Sequence, residues 1–409
     1  MSKVGRRSFL KQLTFGTEKA APNNGKVLVC IFLRGGADTL NMFVPYADHD
    51  YYKQRPTIAI PAPNKSRPNA EASVKLNDLY ALHPRLKSLL PIFKSERLAV
   101  IQSVGSDNPT GSHFDTQDQI EHGEAYGKII GGGWIGRHLR AQSSIHQTPL
   151  SAVSIGTSVC ESLSGAPSVS ALDSINEVQL KAVPSESTAI VGALASLYGA
   201  EVGLLSQPGR DTIQLLSKVQ HLHSDPYIPE NGAHYGDDQL SKGLKEIARL
   251  VKANVGLQVA CIDFGGWDTH FFQGSSEGLQ ADNITQLGKA LTAFDADMIK
   301  YHSKVTTIVM TEFGRRTYEN GSLGTDHGQG SAMIIIGGGV HGGKVYGEWT
   351  GITDQETDLL GPSGLRVKHD YRAVLAEVLT GMLNSRDTDK VFPGFKPSPI
   401  GFAPSAKLL

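Results

Sequence analysis

Six short apolar runs, rich in β-branched residues, recur along the chain at residues 26–33, 97–102, 151–155, 257–263, 304–311 and 331–336, each bounded by glycine or polar residues. Their length and largely apolar, β-branched composition predict buried strands. Residues 84–93, 212–222, 239–251, 283–299 and 371–383 instead carry apolar side chains at i, i+3, i+4 spacing, which predicts amphipathic helices. Strands alternating with helices predict an α/β fold, a large mixed and mostly parallel sheet with helices on both faces. Residues 160–235 are poorer in strand signals and richer in Ser, Ala and Pro. They read as a helical insertion or cap within a single domain of residues 26–400.

Composition and charge then remove function classes. Of 409 residues, 40% are hydrophobic and 19% charged, with 45 Gly and 20 Pro, which is a globular mixture and not that of a disordered or fibrous chain. Lys and Arg total 39 against 40 Asp and Glu, so no global field recruits nucleic acid or an anionic membrane. No stretch approaches 18 apolar residues, so no transmembrane helix is expected. Cys30, Cys160 and Cys261 are far apart in sequence, and two of them fall in strand-like runs; this argues against a disulfide framework or a cysteine zinc site.

Residues 5–11, GRRSFLK, are similar to a twin-arginine export signal with Arg6 and Arg7 as the pair. The following QLTFGTEKAAPNNGK lacks a clear apolar stretch. Residues 1–25 are therefore expected to be a leader to the periplasm through the twin-arginine translocase, or a vestige of one on a cytoplasmic protein. Three formal motif matches fail on context. Residues 338–344 fit a phosphate loop and 337–342 a dinucleotide loop, but Val345 follows the lysine and Tyr346-Gly347 break any helix that could face an anion. The run reads as a hairpin or loop. GSSEG at 274–278 fits a nucleophile elbow without a strand leading into it.

The remaining chemistry lies just beyond the predicted strands, where open α/β sheets hold their ligands. Asp38 follows the first strand, Asp268 and His270 lie in DFGGWDTH, Glu312 ends TTIVMTE, and Asp326 and His327 lie in GTDHGQG. Any one of these could be a turn residue. Together they form a mixed oxygen and nitrogen donor set that suits one or two divalent ions, zinc or manganese, or with fewer histidines magnesium or calcium. In NPTGSHFDTQD, Ser112 is placed to cap a helix starting at His113, with Asp115 completing the box. The same position would hold an anion against its hydroxyl. Ser112 is thus the candidate nucleophile, with Thr110 as its substitute or a substrate contact. His113, a candidate acid or ligand, and Glu312 complete the candidate catalytic group, and Arg34 and Arg315 could clamp an anion bidentately.

The segments GRRSFLK, FLRGGADTLNMFVPY, PTGSHFDTQD, GGWDTH, EFGRRTYENGSLGTDHGQG, GGGVHGGKVYG, DYRAVLAEVL and FPGF, in this order, resemble the bacterial domain-of-unknown-function 1501 family over about residues 26–395. That family resembles a divergent branch of the alkaline phosphatase and sulfatase superfamily. The resemblance implies an alkaline-phosphatase-like α/β fold with Asp38 as first-strand metal ligand, Ser112 at the nucleophile position, Asp268 and His270 as middle ligands, and Asp326-His327-Gly328 as the late Asp-His-Gly. The spacing of Asp268 and His270 is tighter than in the phosphatases, and EFGR intervenes before Asp326. A third late histidine, His341 or His369, stands in no matching motif. The expected function is hydrolysis of a small-molecule or glycan-linked phosphate or sulfate ester with a divalent metal. The rival is a non-catalytic binding or assembly protein with the same fold.

Overall fold

Val27–Leu33 (β1) is buried along its whole length, and its alternating side chains enter two separate cores. Val27, Val29, Ile31 and Leu33 join one core, while Leu28, Cys30 and Phe32 join the other. This is the burial of a strand at the centre of a sheet covered on both faces. The computed structural model describes residues 25–64, 71–142, 147–180, 184–200, 205–220, 226–352 and 364–405, with residues 203 and 222.

Around β1 stand Leu98–Gly105 (β2), Ala152–Ile155 (β3), Ser170–Leu172 (β4), Val259–Phe264 (β5), Val305–Thr311 (β6), Ser331–Gly337 (β7), Lys344–Tyr346 (β8) and His369–Asp370 (β9). Their spatial order is β8-β2-β7-β6-β1-β5-β3-β4, with β9 also paired to β2. Strand β7 runs antiparallel to both of its neighbours. The other pairings in this sheet are parallel. The fold is therefore α/β with a mixed, mostly parallel sheet.

Helices cover both faces. His113–His122 is α1, Trp134–Ala141 α2, Pro184–Ala200 α3, Ser206–Gln220 α4, Gln239–Lys252 α5, Leu279–Asp297 α6 and Tyr371–Glu377 α7. Leu244 and Ile247 of α5 and Leu287 and Leu291 of α6 pack on one face. Trp134, Ile135 and Leu139 of α2 and Val374 and Leu375 of α7 pack on the other. The segment predicted as a helix over 84–93 is a 3₁₀ turn, Pro84–Leu89, running into an α-turn, Leu90–Lys94. Pro91 near the start of that turn has no N–H to carry the first pattern into the second.

Two places differ from the periodicity reading. Residues 160–235 contribute a strand of the main sheet, β4, before α3 and α4. The glycine run after β7 leads not into a hairpin but into β8, which pairs in parallel with β2. The leader read over residues 1–25 lies, but for Gly25, outside the described residues, and among the described residues no helix is long and apolar enough to cross a membrane.

Distance in sequence is also not distance in space for the cysteines. Cys30 and Cys261 face each other in the β1–β5 register. The Cys160 N–H donates to Ser154 Oγ (3.2 Å), and Ser154 is opposite Cys261. All three are free, and hydrogen bonding to Cys160 and Cys30 together with burial pushes the Cys261 thiol pKa up.

Candidate active site

Because β1, β5 and β6 are parallel neighbours, their C-terminal ends open on one edge of the sheet, and the loops that follow must share that space. Gly35 and Gly36 make this possible after β1. Both have positive φ, and a Cβ on Gly35 would lie 2.6 Å from Asp268 N while one on Gly36 would lie 2.3 Å from the Phe313 ring. Only glycine lets three loops approach so closely.

His113 enters from α1. Ser112 caps that helix, its Oγ accepting from Asp115 N at 3.4 Å. The other half of the predicted box is replaced, since Ser112 N donates to Thr110 Oγ1 (3.1 Å). His113 Nδ1–H donates to Glu312 Oε1 (2.8 Å). Glu312 is buried directly after β6 and also accepts from Gly35 N (2.8 Å), Gln117 Nε2 (2.9 Å) and Thr311 Oγ1 (3.0 Å). Burial alone would raise the Glu312 pKa, but the bonds from His113, Gln117 and backbone amides outweigh it and hold the carboxylate below its usual range. Its bond in turn raises the His113 pKa.

Three more residues meet His113. Asp268 Oδ2 lies 3.5 Å from His113 Nε2, and Asp268 Oδ1 lies 3.0 Å from His270 Nε2 and 3.3 Å from His327 Nε2. The Nε2 atoms of His270 and His327 are 3.0 Å apart. Each of the two has its outer nitrogen bonded elsewhere: His270 Nδ1–H donates to Asp326 Oδ1 (3.0 Å) and His327 Nδ1–H to Gly111 O (2.7 Å). His113 and His327 meet edge to face, with ring centroids 4.3 Å apart. Burial raises the Asp268 and Asp326 pKa values, but Arg315 and the histidines around Asp268, and Asn320 and His270 beside Asp326, bring both below the ordinary range. His327 is lowered by burial.

His113, Asp268 and His327 offer ligand atoms that all lie within 4.8 Å of one another. His113 Nε2 is buried without a hydrogen-bond partner. A nitrogen-rich donor set with such an orphaned atom fits a divalent transition metal.

The remaining sequence candidates sit around this centre. Asp38 is fully buried, and its Oδ2 accepts from Arg55 (2.5 Å) and Gln273 (2.7 Å), while Oδ1 has no partner. Gln273 also binds the hydroxyls of Thr269 and Thr325 (2.9 and 2.7 Å), so Asp38 underpins the loops without meeting the histidines. Arg315 is buried, donating to Gly35, Gly36, Trp267 and Thr325 carbonyls and to Asp268 Oδ1 (2.5 Å). These bonds occupy its guanidinium as a brace among the loops. Arg34 pairs with Glu121 (2.7 Å) and Asp263 (2.9 Å). Thr110 Oγ1 donates to Asn108 (2.6 Å).

Sequence reasoning passed over Gln117, Arg55, Asn320 and Gly111. Gln117 carried a signal, since it lies four residues after His113 and so on the same helix face. Asn320, which donates to Asp326 Oδ1 and to the His270 carbonyl (3.0 Å each), reads in sequence as an ordinary turn residue. Arg55 stands 17 positions from Asp38 in no periodic relation to it, and Gly111 acts through a backbone oxygen that no residue type reveals.

Residues 25–360 match the family model described as protein of unknown function (DUF1501). The chain belongs to that family. No curated protein matches it in sequence. Among solved structures, it is similar to the C-terminal periplasmic domain of EcEptC from Escherichia coli, in complex with Zn, at 8% identity and TM-score 0.33, covering 78% of this chain and 76% of that one. It is also similar to alkaline phosphatase from the Antarctic bacterium TAB5, at 9% identity and TM-score 0.28, covering 78% and 92%. A third likeness is to a phosphonate monoester hydrolase of Agrobacterium radiobacter, at 10% identity and TM-score 0.28, covering 76% and 68%.

Proposed function

We propose that this DUF1501 protein is a metal-dependent hydrolase of phosphate or sulfate esters. The observation that carries the reading is the convergence of His113, Asp268, His270 and His327, from three chain segments, at the C-terminal edge of the parallel strands. A divalent ion held by these residues would supply Lewis acidity to the transferred group and to the attacking hydroxyl. Ser112, between Gly111 and His113 in the chain, is the proposed nucleophile. The unpaired amides at the start of α1 receive the anion. Ser112 Oγ then gives up its proton to solvent and forms its bond to phosphorus or sulfur as the ester oxygen departs and takes a proton from solvent. Water later attacks the same phosphorus or sulfur and frees the serine.

Glu312 holds His113 in orientation, and Arg315 holds Asp268. Arg34 is linked through Gln117 to Glu312. Phe114 and Phe271, next in sequence to His113 and His270, are largely exposed and offer apolar surface to the ester's organic group. The Arg6-Arg7 motif supports export by the twin-arginine route.

The test is a panel of phosphate mono- and diesters and sulfate esters, assayed on metal-loaded protein with and without chelator. Chelator-sensitive turnover of one ester class supports the reading. Anion binding without turnover would assign the chain to the binding proteins, and chelator-resistant turnover would point to GSSEG or another metal-free site.

A further inference from the structure

We infer that the site is a single-ion centre with three nitrogen ligands and one carboxylate, His113 Nε2, His270 Nε2, His327 Nε2 and Asp268, and that it takes a zinc-class transition ion in preference to magnesium or calcium. The inference rests on the metal-dependent reading above and departs from a two-ion site that would include Asp38 and Asp326.

Tautomers come first. Each imidazole has its Nδ1 facing an acceptor: Glu312 Oε1 for His113, Asp326 Oδ1 for His270, Gly111 O for His327. Those bonds put the proton on Nδ1 and leave an Nε2 lone pair turned inward. Two such lone pairs 3.0 Å apart, both within 3.3 Å of Asp268 Oδ1, repel unless a second proton on one ring or a metal ion lies among them. Ligand atoms bonded to zinc at about 2.0–2.1 Å in tetrahedral geometry stand about 3.3 Å from one another. His270–His327 and Asp268 Oδ1–His270 (3.0 Å each), Asp268 Oδ1–His327 (3.3 Å) and Asp268 Oδ2–His113 (3.5 Å) are near that spacing. His113 Nε2, buried and without a hydrogen-bond partner, lies in one group with Asp268 and His327 whose ligand atoms are all within 4.8 Å of one another.

The outer partners make the second argument. Metal-binding imidazoles and carboxylates are aimed by groups behind them, and each of these four has one: Glu312, Asp326, the Gly111 carbonyl and Arg315. Asp326 and Glu312 bond to the far nitrogens of their imidazoles, with the ring between them and the ion, so they are positioning residues. Asp38, bonded to Arg55 and Gln273, lies outside the set. With three imidazoles and one carboxylate, the donors suit zinc, cobalt or iron, whereas magnesium and calcium require oxygen.

The experiment strips the full chain with chelator, reloads it with Zn²⁺, Mn²⁺, Mg²⁺ or Ca²⁺, and counts ions per chain by elemental analysis; Co²⁺ serves as a spectroscopic probe. The expected result is one zinc per chain, no retained magnesium or calcium, and the intense visible bands of four-coordinate cobalt. His270→Ala and His327→Ala should lose the ion. Asp326→Asn and Glu312→Gln should keep one ion with affinity weakened about 10–100-fold. Two ions in the wild type, loss of an ion in Asp326→Asn, preference for magnesium, or no retained metal would each overturn the inference. Wild-type stoichiometry and the cobalt spectrum decide it even if a variant fails to fold. One zinc without ester turnover refutes the proposed function alone, two ions with turnover refute this inference alone, and no retained metal refutes both.

Discussion

Replacing Asp38 by alanine separates a structural carboxylate from a metal ligand. Asp38 and Arg55 are at most 1% exposed and their atoms are 2.5 Å apart. In Asp38→Ala the Arg55 guanidinium keeps Asn41 Oδ1 (2.8 Å) and the carbonyls of Thr317 (2.8 Å) and Arg316 (2.7 Å). These acceptors are all neutral, so a buried charge loses its counter-charge, and Gln273 Nε2 loses its acceptor as well. Breaking a buried pair from one side costs about 3–5 kcal/mol, a large share of the roughly 5–15 kcal/mol that holds a typical domain folded. The urea midpoint should fall by roughly 1–2 M, followed by the fluorescence of the buried Trp134 and Trp267. Asp38→Asn, which keeps an oxygen for Arg55 and Gln273, should fall less. Metal content of the folded Asp38→Ala protein should be unchanged. A midpoint within a few tenths of a molar of wild type, accompanied by loss of the ion, would refute the pairing argument and make Asp38 a ligand.

Burial pushes the His83 and His138 pKa values down to about 4 from an ordinary 6.5. Between those values the unfolded chain binds protons that the folded chain refuses, so stability falls as pH drops from about 6.5 to 4 and levels off below, on the order of 3 kcal/mol per histidine at about 1.4 kcal/mol per unit. Melting curves across that window should show the loss, and His83→Gln should flatten it; an unchanged slope in that variant would sink the assignment. Ser112→Ala should cost about 0.5–2 kcal/mol through the lost helix cap and abolish ester turnover, while Ser112→Gly should keep most of the stability and none of the turnover. Activity retained in the glycine variant would exclude Ser112 as nucleophile. Arg6→Lys combined with Arg7→Lys should hold the chain in the cytoplasm, read by fractionation; export unaffected by both changes would mean that this pair is not the signal.

Much of the frame is legible because it depends on local periodicity. A strand buried on both faces is apolar or β-branched at nearly every position, and the runs at 26–33 and 304–311 carry that composition. The Ser112 cap is similarly local, since its oxygen needs only an amide three residues on. Direction and partnership are different. Nothing in residues 331–336 records that β7 runs against its neighbours, because an apolar strand has the same composition in either sense. Three residues at Ser170–Leu172 are too few for any period to announce them.

The site divides along the same line. From the sequence alone came the residue types and their position beyond strand ends: the glycines that let loops turn, the Asp-His pairs, and the serine at a helix start. Only the tertiary structure decided that His113 joins Asp268, His270 and His327, that Asp326 and Glu312 lie behind imidazoles, and that Asp38 and Arg315 are held in buried bonds below. A carboxylate's role depends on which group lies within about 3 Å of it, a distance that covers less than one residue of extended chain. The partners that decide it here, Arg55 for Asp38, Asp268 for Arg315 and His270 for Asp326, are 17, 47 and 56 positions away. Parallel pairing of β1, β5 and β6 brings those segments to one edge, and with them the chemistry.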